Sequence, residues 1–194
     1  LWDEPGDDTV KPTRLLSKAT PEFLRKLSPV ASAGPTAMIG AGSVGSKAAL
    51  HLARAGVPVT AVTDTLVLMP HNMARHALVR QAPSSGKADE LATELKALGQ
   101  TPAVCFEDAV EQLRSSDGRL ALAPENTDRV LNSTASLLVR EALSIVPKDA
   151  FPPRISEIAL FGRGEGAFLL QEGVARNPNL ADLLAEMSAH ATTA

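Results

Sequence analysis

The sequence of 194 residues contains one cysteine, Cys105, and no long hydrophobic run. One cysteine excludes an internal disulfide framework and favours a reducing compartment, so we expect a cytoplasmic protein. Lysine and arginine together number 19 against 22 acidic residues, which leaves no basic excess to attract nucleic acid. Because no apolar stretch approaches the length of a membrane span, the sequence predicts neither a nucleic-acid partner nor a membrane partner.

The chain begins with Leu1 rather than methionine, and no secretory signal is visible there. This start is typical of a segment of a longer protein, so we expect partners or catalytic parts outside it. Hydrophobic residues make up 44% of the sequence, enough to bury a core. The polar, proline-containing residues 1–34 are interpreted as an N-terminal arm or linker, with a short helix from Pro21 to Leu27 capped by Thr20. Residues 35–194 are interpreted as one domain, whose function the motifs below indicate.

The stretch from Thr36 to Ala55 predicts a strand, a glycine turn and a helix. Gly40, Gly42 and Gly45 have the spacing G-x-G-x-x-G. The first two glycines permit a tight turn and leave room for a phosphate against bare backbone, and the third lets the helix pack close to the strand. The helix would direct its free N–H groups and the positive end of its dipole at that phosphate. This pattern favours a nucleotide site.

A second apolar strand, Val57 to Val62, is followed by Asp64. Nucleotide-binding folds place a ribose-binding carboxylate roughly 20 residues beyond the glycines, although Asp64 could also cap the next turn. The connection from Thr65 to Gly86 is too long and too polar to be routine, and long connections usually carry function. Its histidines, His71 and His76, have no second ligand at metal spacing, which favours a surface role or a role at the edge of a nucleotide.

The remaining elements alternate between strands and helices. They are a helix from Lys87 to Leu98, a strand from Ala103 to Phe106, one or two helical turns from Asp108 to Arg114, a surface loop from Ser115 to Gly118, a strand from Arg129 to Ser133, a helix from Ser136 to Val146, strands from Ile155 to Phe161 and Ala167 to Gln171, and a final helix after Asn179. This order predicts an α/β fold: a Rossmann-like, doubly wound, mostly parallel sheet with an antiparallel C-terminal hairpin.

Four residues that follow GAGSVG, namely Asp64, Asn72, Arg75 and Lys87, resemble the ThiF/MoeB type of adenylating enzyme, the fold at the core of ubiquitin-activating enzymes. In that family a strand ends in aspartate, an N-x-x-R element follows, and a lysine opens the next helix. The resemblance implies ATP-dependent adenylation of the C-terminus of a ubiquitin-like or sulfur-carrier protein, with ATP and Mg²⁺ as cofactors. It also implies a homodimer.

The resemblance assigns a role to each of these residues. Arg75 and Lys87 would be catalytic and hold the phosphates, Asp64 would bind the ribose hydroxyls, and Asn72 would orient the phosphates. The rest of the nucleotide would lie against the glycine turn: Gly40, Gly42, Ser43, Val44 and Gly45. From the residues alone, Arg75 could equally be a solvated loop charge, Lys87 an ordinary first-turn residue, and Asn72 a turn residue.

A second block, Val130 to Ala142 (VLNSTASLLVREA), resembles a strand-loop-helix of the same family, with Arg140 where the family has an arginine. Leu66, Asn132 and Ala135 stand where the family has acidic residues, one of which helps to hold magnesium. Their loss removes part of the charge neutralisation on which phosphoryl chemistry depends. Turnover would then be weak or absent, unless another carboxylate substitutes. The candidates for that substitution are Asp108, Glu125 and Asp128.

Other parts of the family pattern are missing or altered. The sequence has no Cys-x-x-C pair for the structural zinc of many relatives, and Cys105 is interpreted as a small buried residue rather than a thioester nucleophile. The tail from Gly162 to Asn179 is similar to large bacterial members fused to a ubiquitin-conjugating-like module. Two other functions remain open: a non-catalytic scaffold for dimerisation or partner binding, and an NAD-dependent oxidoreductase, which the same glycines and Asp64 would allow.

Overall fold

The computed structural model describes residues 18–28, 33–79 and 85–191. Within them the chain forms a six-stranded sheet with the order β3-β2-β1-β4-β5-β6. The strands are β1 (Thr36–Ile39), β2 (Val59–Thr63), β3 (Ala103–Cys105), β4 (Arg129–Asn132), β5 (Arg154–Phe161) and β6 (Gly166–Gln171). The α-helices are α1 (Pro21–Leu27), α2 (Ser43–Arg54), α3 (Lys87–Ala97), α4 (Ala109–Leu113), α5 (Ser116–Leu122), α6 (Leu137–Ile145) and α7 (Leu180–Ala191). Short 3₁₀-helices span Pro70–Ala74, Gly162–Gly164 and Val174–Arg176.

The sheet is parallel from β3 to β5, and β6 runs antiparallel to β5. Two apolar clusters cover its two faces. Met38 and Ile39 are neighbours in β1 and almost fully buried, yet Met38 packs with residues of α2 and α3 whereas Ile39 packs with residues of α4 to α7. Successive side chains of a strand point to opposite faces, so helices cover both. The predicted doubly wound sheet with an antiparallel hairpin is therefore confirmed.

The last residues of three strands lie in one row across the sheet. Ile39 pairs with Thr63 of β2 and with Asn132 of β4, and Asn132 pairs with Glu157 of β5. Thr63, Asn132 and Glu157 are buried, and each has one side-chain polar atom that lacks a hydrogen-bond partner among the described residues. The strands β2, β1 and β4 thus end at the same level along the carboxyl edge of the sheet, and buried polar side chains lie along this edge.

The short helix predicted from Pro21 to Leu27 is confirmed as α1. Thr20 Oγ1 accepts a hydrogen bond from the N–H of Phe23 at 3.2 Å, which caps the helix. Arg25 Nε donates to the carbonyl of Gly56 at 3.2 Å, so α1 lies against the end of α2. Residues 1–17 and 29–32 of the proposed arm lie outside the described residues, and the division between arm and domain stays a prediction. In the described part of the chain, no helix is both long and apolar enough to cross a bilayer.

The surface loop predicted from Ser115 to Gly118 is wrong, because these residues begin α5. Ser115 Oγ accepts a hydrogen bond from the N–H of Gly118 at 3.0 Å and caps the helix. A Cβ atom on Gly118 would lie 2.2 Å from the carbonyl oxygen of Gln112, so the glycine lets α4 and α5 pack closely. Leu122, near the end of α5, is fully buried. The connection from β3 to β4 therefore contains two helices.

Candidate functional site

A cleft of about 360 Å³ opens at the carboxyl edge of the sheet. Its walls come from the segments that follow β1, β2, β3 and β4 and from the first turns of α3, α4 and α6. In open parallel sheets, ligands bind outside the carboxyl ends of the strands where the strand order reverses, which here is between β1 and β4. The volume is within the range of small-molecule sites. This cleft is the candidate functional site.

The glycine turn forms one wall of the cleft. Gly40 has a φ of 96°, and a Cβ atom on Gly45 would lie 2.0 Å from the carbonyl oxygen of Gly40, so the fold itself requires glycine at both positions. A Cβ atom on Gly42 would meet nothing within 4 Å. Gly42 is also the N-cap of α2, and no side chain caps this helix. The N–H groups of the first turn, including those of Ser43 and Val44, therefore lack intrahelical acceptors beside open space.

Asp64 connects the glycine turn to the end of β2. Its Oδ2 accepts a hydrogen bond from the N–H of Ala41 at 2.7 Å, and its Oδ1 accepts one from the N–H of Leu66 at 2.8 Å. The second contact is the turn-capping role that the sequence leaves open for Asp64. A carboxylate has about four acceptor sites, so each oxygen can accept a further bond from a ligand. Asp64 and Leu66 both line the cleft.

Lys87 is the first residue of α3 and lines the same cleft. It is only 8% exposed, and none of the hydrogen bonds or ion pairs among the described residues involves its ammonium group. A cation beside a cleft without an acidic partner has no counter-charge, and a cation at a helix N-terminus also opposes the helix dipole. An anionic ligand in the cleft would supply that counter-charge.

The N-x-x-R element does not line the cleft. Asn72 is buried, and its Oδ1 accepts a hydrogen bond from the N–H of Met69 at 3.0 Å, which is the turn role that the sequence leaves open. Arg75 ends the 3₁₀-helix Pro70–Ala74 and is exposed. Its carbonyl oxygen accepts a hydrogen bond from Ser43 Oγ at 3.0 Å, so Arg75 lies beside the N-terminus of α2 but outside the cleft wall.

The loop from β4 to α6 forms another wall of the cleft, next to the glycine turn. Ser133 Oγ donates to the carbonyl of Gly40 at 2.8 Å, and this contact joins the loop to the glycine turn. Asn132 Oδ1 accepts hydrogen bonds from the N–H and the hydroxyl of Thr134. Ala135 has a φ of 55°, a conformation that asparagine and aspartate adopt more readily than alanine does. Sequence reasoning missed Ser133, since nothing in its local pattern indicates a contact with a turn so far away in the chain.

Of the three carboxylates that could replace the missing ones, only Asp108 lines the cleft. It caps α4, and its Oδ1 accepts hydrogen bonds from the N–H groups of Val110 and Glu111. Glu125 borders a different pocket, and Asp128 precedes β4 at the opposite edge of the sheet. Among the described residues, no group of three or more histidine, cysteine, aspartate or glutamate side chains could hold a metal ion.

His76 is buried beneath the glycine turn, so the surface position open to it from the sequence is wrong, whereas His71 is exposed. His76 Nε2 lies 2.6 Å from the carbonyl oxygen of Ala41, and its Nδ1 accepts a hydrogen bond from the N–H of Leu78 at 3.2 Å. Burial lowers the pKa of His76 below its ordinary value. The sequence offered no signal for this position, because the histidine stands in an irregular connection without periodicity.

Arg140 faces away from the cleft. Its Nε donates to Glu157 Oε1 at 2.7 Å, and its guanidinium lies 5.7 Å from the centre of the Phe168 ring. These contacts join α6 to the C-terminal hairpin. Cys105 is buried in β3, as the sequence predicts for a small structural residue. Neither residue has a position from which it could touch a ligand in the cleft.

No protein-family model and no curated protein sequence matches this chain. Solved structures do resemble it. E. coli MccB, crystallised with AMPCPP and MccA, aligns with a TM-score of 0.55 and 14% identity over 72% of this chain and 39% of MccB. PaaA aligns with a TM-score of 0.53 and 18% identity over 71% of this chain and 39% of PaaA. E. coli tRNA N6-threonylcarbamoyladenosine dehydratase, TcdA, in complex with AMP, aligns with a TM-score of 0.53 and 17% identity over 73% of this chain and 54% of TcdA.

The matched region thus spans about two fifths of MccB and PaaA and just over half of TcdA. At these identities the likeness establishes the fold. The chain shares the fold of MccB, PaaA and TcdA over the matched region, which agrees with the fold that the resemblance in its sequence implies.

Proposed function

We propose that the cleft binds ATP and that this chain takes part in adenylating the C-terminal carboxylate of a ubiquitin-like or sulfur-carrier protein. The observation that carries the proposal is the uncapped N-terminus of α2 at Gly42 together with Lys87, a cation on the same cleft that forms no ion pair among the described residues. Free backbone N–H groups and an unpaired cation both attract phosphate. Nucleotides in crystals of the structural neighbours, AMPCPP with MccB and AMP with TcdA, support the choice of ligand.

ATP would supply an electrophilic α-phosphorus to a substrate carboxylate, with pyrophosphate as the leaving group. Lys87 would neutralise charge on the phosphate oxygens, and the N–H groups of Ser43 and Val44 would hold them. Asp64 would accept hydrogen bonds from the ribose hydroxyls with its remaining lone pairs. Arg75 would reach the phosphates from its exposed position beside α2. Asn72 would act through the shape of its 3₁₀-helix rather than by contact.

The described side chains do not fit a magnesium site built by the protein. Mg²⁺ prefers carboxylate and water oxygens in near-octahedral geometry. The remaining acceptor sites of Asp64 are assigned to the ribose, Asp108 caps α4, and no group of three or more histidine, cysteine, aspartate or glutamate side chains among the described residues could hold a metal ion. Ala135 offers no ligand. We therefore assign no residue of this chain to Mg²⁺ and assign the charge neutralisation to Lys87 and the N-terminus of α2.

A second candidate function is a non-catalytic scaffold for dimerisation or partner binding. Leu66 and Ala135 favour it, because both stand where the resemblance predicts acidic residues. We propose a homodimer under either function. Three apolar side chains of α6 are exposed and support an interface. They are Leu137, Leu138 and Ile145, which are 59%, 68% and 80% exposed. Light scattering at micromolar concentration is expected to give twice the monomer mass, and a monomer would refute the dimer.

The wider setting is also a proposal. MccB was crystallised with MccA, which is consistent with a small peptide or protein as the substrate of this chain. We propose that the chain acts in the cytoplasm, and that a ubiquitin-conjugating-like module belongs to the same longer protein. Co-purification of the full-length protein with a carrier whose C-terminus becomes adenylated would support both partner assignments.

The test is calorimetric titration with ATP and Mg²⁺, ADP, and NAD, one ligand at a time, followed by pyrophosphate exchange. We expect ATP and ADP to bind and NAD to bind at least tenfold more weakly. Lys87→Met should weaken ATP binding about tenfold or more, because it removes a charge-assisted contact. Lys96→Met on the exposed side of α3 is the matched control and should bind as the wild type does. Tight NAD binding without ATP binding would overturn the proposal, and ATP binding without exchange would favour the scaffold.

A further inference from the structure

Two side chains hold the backbone of Ala41, one on each side of its Cα. Its N–H donates to Asp64 Oδ2 at 2.7 Å, and its carbonyl oxygen lies 2.6 Å from His76 Nε2. Ala41 stands between Gly40 and Gly42, whose backbones are the least restricted because neither carries a Cβ atom. Asp64 therefore orients the peptide unit before Ala41, and His76 orients the one after it, which carries the N–H of Gly42 at the start of α2.

The contacts of His76 define its tautomer. The N–H of Leu78 donates to Nδ1 at 3.2 Å, so Nδ1 must be the acceptor and the ring proton must be on Nε2. Nε2–H then donates to the carbonyl of Ala41. The same segment is also joined to α2 through the N–H of Ala77, which donates to Ser46 Oγ at 3.2 Å. The imidazole thus joins the long segment after β2 to the glycine turn only when it is neutral with its proton on Nε2.

We infer that neutral His76 is a positioning residue of the nucleotide site, holding the Ala41 carbonyl so that the N–H groups of Gly42, Ser43 and Val44 face the cleft. This inference rests on the proposed function. Protonation would put a second N–H on Nδ1, directed at the N–H of Leu78, and two donors cannot bond to each other. The ring would have to leave its place, and the peptide unit between Ala41 and Gly42 would lose its side-chain anchor.

The surroundings of His76 oppose protonation near neutral pH. Burial is the main cause of its lowered pKa, and the positive charges of Lys87 on α3 and Lys47 on α2 act in the same direction. Asp64, which follows β2, and the carbonyl of Ala41 act in the opposite direction and are weaker than the desolvation. The anchor is therefore intact at neutral pH and opens only in acid.

The test compares three proteins, the wild type, His76→Gln and His76→Asn, by calorimetry with ADP. The amide nitrogen of glutamine stands near the position of Nε2 and can still donate to Ala41, whereas the oxygen of asparagine stands near the position of Nδ1 and can only accept from Leu78. At pH 7.5 we expect His76→Asn to bind ADP about tenfold more weakly, the equivalent of one buried hydrogen bond, and His76→Gln to bind within about twofold of the wild type.

A pH series from 7.5 to 5.5 separates positioning from mere packing. On going from pH 7.5 to 5.5, the affinity of the wild type for ADP should fall at least about threefold more than the affinity of His76→Gln does. The variant has no titrating group at this position. Because protonation of ADP affects both proteins equally, the comparison also removes that effect. Equal pH profiles, an affinity of the wild type that rises in acid relative to His76→Gln, or unchanged binding by His76→Asn would each overturn the inference.

Amide hydrogen exchange without ligand supplies a readout that does not depend on nucleotide binding. Peptides that contain Ala41 to Val44 should exchange at least about fivefold faster in His76→Asn than in His76→Gln, and equal exchange would overturn the inference. If the wild type binds no nucleotide at any pH, the proposed function fails, and the exchange comparison alone decides whether His76 anchors the turn. If His76→Asn does not fold, the pH profiles of the wild type and His76→Gln decide.

Discussion

Glu172 and Arg176 form an ion pair that is buried where the C-terminal hairpin leaves the sheet, with 2.7 Å between Arg176 Nε and Glu172 Oε2. The side chains are 0% and 5% exposed. Glu172 Oε1 also accepts a hydrogen bond from the N–H of Leu180, and Arg176 donates to the carbonyls of Leu143 and Val146. The pair therefore joins the hairpin to the end of α6 and to the start of α7.

Breaking this pair from one side should be strongly destabilising. Arg176→Met leaves the Glu172 carboxylate buried without its cation, which typically costs about 3–5 kcal/mol of the free energy of unfolding. Urea denaturation followed by circular dichroism measures it. Arg114→Met is the matched control, because Arg114 pairs with Glu111 on the surface, and its loss should cost less than about 1 kcal/mol. Equal costs for the two variants would contradict the structural role assigned to Arg176.

Alanine at two glycines of one motif should have opposite effects. Gly45→Ala would bring a Cβ atom to 2.0 Å from the carbonyl oxygen of Gly40, so we expect a loss of about 2 kcal/mol or more in stability. Gly42→Ala meets no atom within 4 Å and Gly42 has a φ of −75°, so the fold should be as stable as the wild type or slightly more so. ADP binding by Gly42→Ala should nevertheless weaken, because the added methyl group stands where a phosphate would approach. Full-strength binding by this variant would mean that the phosphate is held elsewhere.

The stability of the protein should decrease in mild acid because of His76. Burial lowers the pKa of this histidine in the folded state below the value of 6.5 that it has in the unfolded chain. Between these two pKa values the unfolded state binds more protons, so the free energy of unfolding falls as the pH drops below about 6.5. Thermal or urea unfolding from pH 7.5 to 5.5 measures the slope. His76→Gln should have a shallower slope than the wild type, and parallel slopes would show that His76 is not the cause.

Ala135→Asp tests whether a carboxylate at this position, where the resemblance predicts an acidic residue, makes the site respond to Mg²⁺. Ala135 is exposed, has a φ of 55° and stands between two residues that line the cleft, Thr134 and Ser136. Aspartate and asparagine tolerate this conformation, so both Ala135→Asp and Ala135→Asn should be as stable as the wild type or more stable by up to about 1 kcal/mol. Only Ala135→Asp should make ATP binding depend on Mg²⁺, as measured by calorimetry with and without the ion. The same response in Ala135→Asn would rule out a carboxylate effect.

Much of the fold could be predicted because its signals are local. The apolar run at Met38 and Ile39, the glycines after it and the helical spacing of Leu91 and Leu95 each report on a few neighbouring residues. α5 was missed because Ser115 begins a polar stretch that is typical of a loop, and its helix depends on the burial of Leu122 against distant strands.

The candidate site could be predicted only where sequence and cleft coincide, as at Asp64 and Lys87. Arg75 and Asn72 lie outside the cleft wall, and the hydrogen bond from the Ser43 hydroxyl to the Arg75 carbonyl, which holds their 3₁₀-helix beside α2, is a contact that no local pattern encodes. Ser133 and His76 contact the glycine turn from segments far along the chain, so only the assembled sheet reveals them.

The even row of strand ends has a consequence for what the cleft accepts. Thr63, at the end of β2, lines the cleft, and its hydroxyl has no hydrogen-bond partner among the described residues. A buried hydroxyl without a partner is costly, and only an oxygen or nitrogen atom brought into contact with it relieves that cost. The end of β2 therefore favours a polar group over carbon at this one point beside the cleft.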